Sequence, residues 1–500
     1  MEDAAREILR GRLEGLGPVT ALQLADQSGL GLATVEAALL ALEVEGFAFQ
    51  GRFTPPGPGG RQSDQPVEWC ERRLLQRIHR YTIESHRQQI KPVSLQVYLQ
   101  FLFQLHQMRP ANEIAGFPSS SGRLDGQTRL QHCLQLLDGL TAPAVAWEAD
   151  ILPSRVPDYD PGWLDVMCIS GRAGWGRYGV VTPAREPGEK RRSGPVKSTP
   201  ITLVSRENLD IWQTLAVDAL AGQGEREAPP TGREAAVIEQ DLRQFGASFY
   251  SDIQQRTGLL KAQIEQGLAE LVSLGRVSSD SFTGLRALLT PAGRKPGNKG
   301  RHRRRALFGI EDAGRWSLLS PGWRARSENP ASETRLDEHQ LERLALIYLQ
   351  RWGVVFRRVL ERETLAPPWR LLLRVLRRME LQGQIRGGHF VAGVGGEQFA
   401  FPGTVDGLRK LAAGQTGKTG AMHSLAAVDP LNLLPLLMPA SRLPRLVSNR
   451  ILFDQGVPVA VLQSKAVVFL RDVDPSQQWQ IQQLLMQTQS PPRLRSYLGS

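Results

Sequence analysis

One supersecondary unit recurs along this chain, and its recurrence constrains the fold more than any single motif. The stretches 17–53 and 246–282 each contain two glycines 29 residues apart, and the stretch 336–402 contains a similar pair 30 residues apart. Each stretch has two helical patterns between its glycines and a short alternating apolar run after the second one. This is the pattern of a winged helix-turn-helix. The predicted fold class is therefore mainly α with small β-wings, built as a tandem winged helix-turn-helix array.

Composition shifts divide the array into six predicted segments. These are a winged helix at 1–54, a helical or winged-helix segment at 67–135, a degenerate winged helix at 136–218, winged helices at 233–308 and 333–410, and a β-rich, barrel-like module at 422–500.

The copy at 336–402 has the clearest helix signals. Its first helix is predicted to stop at Gly353, and its third opens on Pro367-Pro368, where the missing N–H groups have no helical partner to lose. The wing is predicted to pair the runs 390–392 and 398–400.

The third helix of this copy carries the strongest functional signal. At about 100° per residue its arginines share one stripe, while its apolar residues occupy the opposite side. The predicted DNA contacts are Arg370, Arg374, Arg377 and Arg378 on the helix and Arg386 in the wing. Such a helix and wing fit a DNA groove and the neighbouring phosphates, although the same arginines could also serve only to solvate an exposed face.

Two further basic segments are predicted to touch DNA. A helix predicted over 67–87 carries Arg73, Arg77 and Arg80 in one stripe, which Glu84 weakens. The loop 294–305 would form an electrostatic arm through Arg301, Arg303, Arg304 and Arg305, or remain a solvated loop.

The other copies lack such a face. The third helix of the first copy exposes Glu36, Glu43 and Glu45, which favours a scaffold or protein interface over a DNA reader, and the copy at 246–282 is nearly neutral.

Composition indicates the class of partner and argues against a metal or cofactor site. The formal net charge of +11 indicates a polyanionic partner, and DNA suits the arginine-rich composition. The three cysteines are widely spaced and the histidines scattered, so neither a metal nor a cofactor is expected. The N-terminus resembles neither a signal peptide nor a membrane span, so we expect a cytoplasmic, nucleoid-associated protein without a membrane partner.

The sequence AAGQTGKT at 412–419 matches a loose phosphate-loop pattern. A phosphate loop follows a buried strand, whereas a helix is predicted here before it, so an ATP site is rejected.

Three stretches carry a family resemblance. The sequences EWCERRLLQRIHRYT, GGHFVAGVGGEQFAFP and DPLNLL…SNRILFDQGVPVA, in this order, resemble the C-terminal region of the bacterial large helicase-related proteins (Lhr). The resemblance implies about five winged helices with a barrel-like module, a homo-oligomer that would be a tetramer, and a DNA helicase core in cis or in trans. The chain lacks the helicase motifs, so it is expected to be a fragment or a split gene product.

The array also resembles tandem winged-helix DNA glycosylases of the AlkZ/YcaQ type. Their Gln-hydrophobic-Gln motif is not matched by Gln382-Gly383-Gln384, so that role is not carried over. The Lhr resemblance implies uracil-glycosylase activity, in which a carboxylate would stabilise the sugar cation or orient water. The candidates are Asp429, Asp454 and Glu397, and Asp429 could instead cap the turn before Pro430.

Three hypotheses therefore stand. The first is a DNA-binding and oligomerisation module of a repair helicase, and the second is a winged-helix DNA glycosylase that acts without ATP. A transcription regulator is disfavoured because the winged units differ from one another.

Overall fold

The structure is a computed structural model of the whole chain. It describes residues 2–54, 66–88, 90–111, 125–179, 197–221, 231–289, 309–319, 336–414, 421–438, 443–487 and 494. These residues form two compact units, 1–91 and 92–500.

Helices account for most of the regular structure. They are α1 (Glu2–Leu13), α2 (Ala21–Ser28), α3 (Leu32–Val44), α4 (Arg72–Gln88), α5 (Leu95–Leu105), α6 (Gly126–Leu136), α7 (Ala144–Ala146), α8 (Pro161–Ile169), α9 (Leu209–Ala221), α10 (Arg233–Phe245), α11 (Tyr250–Thr257), α12 (Lys261–Ser273), α13 (Phe282–Leu289), α14 (Glu338–Trp352), α15 (Arg357–Leu360), α16 (Trp369–Leu381), α17 (Pro402–Ala412), α18 (Leu434–Leu437) and α19 (Pro475–Met486). A π-helical turn, Trp147–Ile151, extends α7, and 3-10 turns lie at Arg206–Asn208 and Ile310–Asp312.

The strands are short. They are β1 (Val19–Thr20), β2 (Ala48–Gly51), β3 (Glu68–Glu71), β4 (Thr141–Pro143), β5 (Ala173–Gly176), β6 (Pro200–Ser205), β7 (Ser248–Phe249), β8 (Val277–Ser279), β9 (Arg315–Leu318), β10 (Val354–Val355), β11 (Arg386–Gly388), β12 (Gln398–Ala400), β13 (Met422–Ala426), β14 (Arg450–Asp454), β15 (Val457–Gln463) and β16 (Ala466–Phe469).

The same antiparallel sheet occurs four times among the described residues. In the orders β1-β3-β2, β4-β6-β5, β7-β9-β8 and β10-β12-β11, the last strand in sequence always lies in the middle. The first strand precedes the helix pair, and the other two form the wing. The winged helices predicted from the glycine spacing are therefore confirmed, and a fourth sheet of the same strand order, with β6 in its middle, lies within the segment 136–218.

Glycines in the left-handed region explain the repeat spacing. The recognition helices α3, α8, α12 and α16 are each followed by a glycine with φ between 69° and 75°, namely Gly46, Gly171, Gly275 and Gly383. A side chain is strained at such φ values, so glycine ends each helix and turns the chain into the wing.

In the first unit, the start of one predicted helix is wrong. Residues 68–71, predicted to belong to a helix over 67–87, form β3, which pairs with β2 from Ala48↔Glu71 to Gly51↔Glu68. The helix α4 begins only at Arg72. The buried carboxylate of Glu71 accepts the N–H groups of Arg73 and Leu74, which caps α4 where strand gives way to helix.

Two wings also differ from the prediction. The winged helix predicted over 233–308 extends further, since the fully buried Trp316 lies in β9, the central strand of its sheet. In the wing of α16 the first strand is β11 rather than 390–392. The backbone of Phe390 and Ala392 instead hydrogen-bonds to Val93.

The C-terminal module is an open sheet. Strands β13 to β16 lie in sequence order in one antiparallel sheet that does not close into a barrel, so the barrel-like prediction is wrong. The turn between β14 and β15 has positive φ values at Gln455 and Gly456, as a type I′ hairpin requires. Helix α19 packs on β14 and β15.

Buried ion pairs join the modules of the second unit. Arg286 of α13 donates to Glu148 in the π-helical turn at 2.8 Å, and neither side chain has measurable exposure. Asp150 and Arg155 reach Arg450 and Asp429 of the C-terminal module. A buried charge is tolerated only when it is paired, so these contacts fix how the modules pack.

Candidate nucleic-acid interface

Helix α16 presents its basic face to solvent. As predicted from the periodicity, Leu372, Val375, Leu376 and Met379 are buried on one side. On the other side Arg370, Arg374 and Arg377 are exposed. The helix starts after Pro368 and ends before Gly383, so the whole stripe lies on one uninterrupted helix.

Two arginines of the stripe are bound to carboxylates of the same module. Arg378 is half-buried and donates to Glu338 and, at 3.1 Å, to Glu342, both on α14. Arg377 makes a two-point contact with Glu397 in the wing, with distances of 2.7 and 3.2 Å. Arg378 therefore fastens α16 to α14, and Arg377 fastens it to the wing.

The wing owes its shape to one buried glutamine. The side-chain oxygen of Gln398 accepts the N–H groups of Phe390 and Val391, and its amide donates to the carbonyls of Val391 and Val394. This fixes the loop between β11 and β12 and leaves Arg386, on β11, exposed beside α16.

The helix before α16 adds two arginines that the sequence analysis did not select. Arg357 and Arg358 begin α15 and are both exposed. Their position at the start of the second predicted helix could have identified them, since the first residues of that helix in a helix-turn-helix lie near the DNA backbone.

The other predicted contacts belong to other segments of the chain. Arg73, Arg77 and Arg80 are exposed on α4, in the first unit. Arg301, Arg303, Arg304 and Arg305 lie outside the described residues.

Each candidate catalytic carboxylate is bound to an arginine. Asp429 is buried, receives both terminal nitrogens of Arg155 at 2.8 and 2.9 Å, and accepts the N–H of Leu431. Asp454 pairs with Arg471 at 2.8 Å, and Glu397 pairs with Arg377. The contacts of Asp429 tie the C-terminal module to the π-helical region and cap the turn after Pro430.

A buried histidine, His106, lies near the Asp429–Arg155 pair. The Nε2 of His106 is 2.8 Å from the carbonyl oxygen of Arg351, and its Nδ1 has no hydrogen-bond partner among the described residues. Burial, helped by the charge of Arg155, lowers the pKa of His106 to about 3. The ring is therefore neutral and donates from Nε2 at neutral pH.

Two other properties concern metals and membranes. The described residues hold no group of three or more His, Cys, Asp or Glu side chains placed to bind a metal ion. Of the described helices, none is long and apolar enough to cross a membrane alone, and α2 with α3 meets that test only as a pair bent by 116°.

Comparison with known proteins decides the family resemblance. A model of the fourth winged-helix domain of the large helicase-related protein matches residues 334–420, and a model of the third matches residues 93–193. The chain carries Lhr winged-helix domains. The resemblance predicted from the sequence is confirmed.

Two homologous proteins cover most of this chain. The "Lhr helicase/ probable uracil glycosylase" of Mycolicibacterium smegmatis is 28% identical over 428 residues, which are 83% of this chain and 25% of that protein. The "Lhr helicase/uracil glycosylase" of Escherichia coli is 27% identical over 483 residues, which are 93% of this chain and 29% of that protein. The chain thus matches between a quarter and a third of each Lhr protein.

A solved structure is also similar. The DNA glycosylase AlkZ of Streptomyces sahachiroi aligns with a TM-score of 0.43 and 11% identity, over 82% of this chain and 98% of that chain.

The fourth Lhr domain contains the whole basic face. The match at 334–420 includes α14, α15, α16 and the wing. All contacts of Arg377 and Arg378 described above lie within it. The arginine stripe, its two carboxylate supports and the wing thus belong to one domain.

Proposed function

We propose that this chain is the DNA-binding module of an Lhr-type repair helicase. The observation that carries the proposal is the exposed row of Arg370, Arg374 and Arg377 on α16 beside a wing. Guanidinium groups bind phosphate with paired N–H donors, so such a row grips the DNA backbone with little base specificity.

The neighbouring arginines extend the same surface. Arg357 and Arg358 on α15 and Arg386 in the wing are exposed in the same domain. In a winged helix these elements flank the recognition helix and contact phosphates on either side of the groove. We propose that Arg378 contributes only indirectly, because Glu338 and Glu342 hold it against α14.

The salt dependence of DNA binding tests this assignment. Each phosphate contact that is lost lowers the slope of log K against log salt by about 0.9. The variant Arg370→Ala/Arg374→Ala/Arg377→Ala is therefore expected to lower the slope by between two and three, measured by fluorescence anisotropy on a labelled duplex.

A second triple variant provides the matched control. Arg73→Ala/Arg77→Ala/Arg80→Ala removes the same charge from exposed positions on α4. An effect equal to that of the α16 variant would mean that α4 contributes as much as α16, either through its own DNA contacts or through net charge. An effect in the α4 variant only would place the interface in the first unit and reject α16.

The proposal has two further parts, namely association of this chain with a helicase core and self-association of the chain. Both relatives are named as helicases and are more than three times longer than their match to this chain. We propose a helicase core as partner, in cis or in trans, and a homo-oligomer, acting on the nucleoid in the cytoplasm. Co-purification with a helicase core and light scattering of the purified chain test these two parts.

The second candidate function is a uracil-DNA glycosylase that acts without ATP, which the names of both relatives favour. Incubation with labelled uracil-containing DNA, followed by alkali, would reveal abasic sites as strand breaks. Asp454→Asn, Glu397→Gln and Asp429→Asn identify the carboxylate if cleavage occurs. The thermal stability of each variant must be measured in parallel, since Asp429→Asn weakens a buried ion pair.

A further inference from the structure

A small cavity opens beside the recognition helix of the degenerate winged helix. It has a volume of about 270 Å³ and lies between α6, the end of α8 and the start of β5. Small-molecule sites usually begin at about 300 Å³. At just below that size, the cavity has room for one base rather than for a larger ligand.

Two amides line one wall of this cavity. Gln131 and Gln135 are one helical turn apart on α6, so their side chains share a face. The Nη1 of Arg172 donates to the side-chain oxygen of Gln131 at 3.3 Å, which orients that amide. Amide side chains offer a donor and an acceptor together, the combination that matches the edge of a base.

The remaining walls supply charge and an apolar floor. Arg172 and Arg206 lie side by side, because the N–H of Arg206 donates to the carbonyl of Arg172 at 3.1 Å. Both are exposed, and the carboxylate of Glu207 follows them. Leu134 and Met167 are buried and provide the apolar surface on which a ring can lie.

The rim of the cavity is fastened to the domain that carries the arginine stripe. Arg343 of α14 donates to the carbonyl of Glu207 and, at 2.6 Å, to the side chain of Asn208. The adjacent Glu342 binds Arg378 of α16. One helix, about 10 Å across, therefore separates the cavity rim from α16, a distance that a few nucleotides span.

We propose that this cavity receives one unstacked pyrimidine base from a DNA strand held by α16. This inference rests on the proposed DNA binding. Gln131 and Gln135 read the base edge, Leu134 and Met167 contact the ring, and Arg172 and Arg206 hold the flanking phosphates. A simple anion would use the two arginines but would leave the paired amides and the apolar floor without a role.

Base unstacking can be measured separately from DNA binding. A duplex with one U·G mismatch and 2-aminopurine next to the uracil becomes more fluorescent when the uracil leaves the stack. We expect this rise on binding of the wild-type chain. Gln131→Ala/Gln135→Ala should abolish most of it, with roughly a five- to tenfold loss of preference for the mismatched duplex over a matched one.

The control variant is Gln127→Ala, an exposed glutamine on α6 that does not line the cavity. It should retain the wild-type rise. All variants should bind the matched duplex within about twofold of wild type, since the phosphate contacts on α16 are unchanged. A circular-dichroism melt of each variant checks that the fold is retained.

Three outcomes would overturn the proposal. The first is the absence of a fluorescence rise in the wild type, and the second is an unchanged rise in the double glutamine variant. The third is binding of free deoxyuridine monophosphate by a chain that gives no fluorescence rise with the mismatched duplex. That result would make the cavity a free-nucleotide site. Failure of the proposed DNA-binding function would look different from failure of this inference. The wild-type chain would then not bind the matched duplex, or the α16 variant would show an unchanged salt slope.

Discussion

Helices α3 and α16 hold the same place in two copies of one module, yet they offer opposite surfaces. The exposed side of α3 carries an apolar row at helical spacing, Ala33, Ala37, Leu40 and Val44, with Glu36 beside it. The exposed side of α16 carries three arginines. Topology thus fixes where a recognition helix lies, but the residues on its free face decide what it can bind.

The interiors of the two modules differ as well. The core around α3 is packed from apolar side chains such as Leu9, Val35 and Leu39, and the buried Glu71 of the same unit accepts backbone N–H groups. The module of α16 buries Arg351, which donates to Glu363 at 2.5 Å and to the carbonyls of Leu136 and Asp138. The first module is therefore held by hydrophobic packing, and the other is tied to its neighbour by a buried charge.

The largest expected effect comes from removing that charge. Arg351→Ala leaves the charge of Glu363 buried without its arginine, with only the N–H of Trp352 still donating to it among its described contacts, which costs about 3–5 kcal/mol. We expect hydrogen exchange to accelerate across α14 and α6 while protection of α1 and α3 stays unchanged.

Arg10→Ala is the matched variant in the first module. Arg10 pairs with Glu45 at the surface, and exposed pairs contribute little. Equal loss of protection in both variants would contradict the contrast between the two interiors.

The next effect is a pH dependence confined to the larger unit. His106 stays neutral in the folded chain because its pKa is about 3, whereas the unfolded chain binds a proton near its ordinary value of 6.5. The unfolded state therefore takes up the extra proton, and stability falls as pH decreases below 6.5, by up to about 1.4 kcal/mol per pH unit.

The variant His106→Gln isolates this contribution. The advantage of wild type over the variant in urea unfolding at pH 7 should shrink between pH 6.5 and 5. A constant difference across this range would show that His106 does not carry the effect. The first unit offers no comparable group among its described histidines, since His79 is exposed.

The spacing of apolar residues, together with glycines and prolines at helix ends, predicted most of the helical fold. Glycines at helix ends and Pro367-Pro368 marked α16 within two residues. Strands of three or four residues show too little alternation to be recognised, which explains why β3 was assigned to a helix. The central strand β9 was missed for the same reason, and because a long connection separates it from β8.

The site was predictable only as far as a single helix determines it. The arginine stripe follows from 100° spacing, but its carboxylate partners come from other elements, 20 to 40 residues away in sequence. The partner of Asp429 is 274 residues away. A carboxylate near a turn looks the same in sequence whether it is catalytic or bound to a buried arginine.

A smaller effect should follow from freeing Arg377. In Glu397→Gln the wing keeps a hydrogen-bonding side chain, but the negative charge beside the stripe is removed. We expect duplex affinity at low salt to rise about two- to fivefold, with the gain vanishing at high salt because the added attraction is electrostatic. A gain that persists at high salt would point to a changed wing conformation instead.

The smallest effect is expected on the apolar helix face. Leu40 and Val44 of α3 are 54% and 89% exposed, so Leu40→Ser/Val44→Ser removes little buried surface and should change stability by no more than about 0.5 kcal/mol. Duplex affinity and its salt slope should equal those of wild type, because the face offers no donor to phosphate. A loss of DNA binding in this variant, with the fold retained, would mean that the first winged helix contacts DNA through α3. The contrast between α3 and α16 would then lie in the type of DNA contact rather than in its presence.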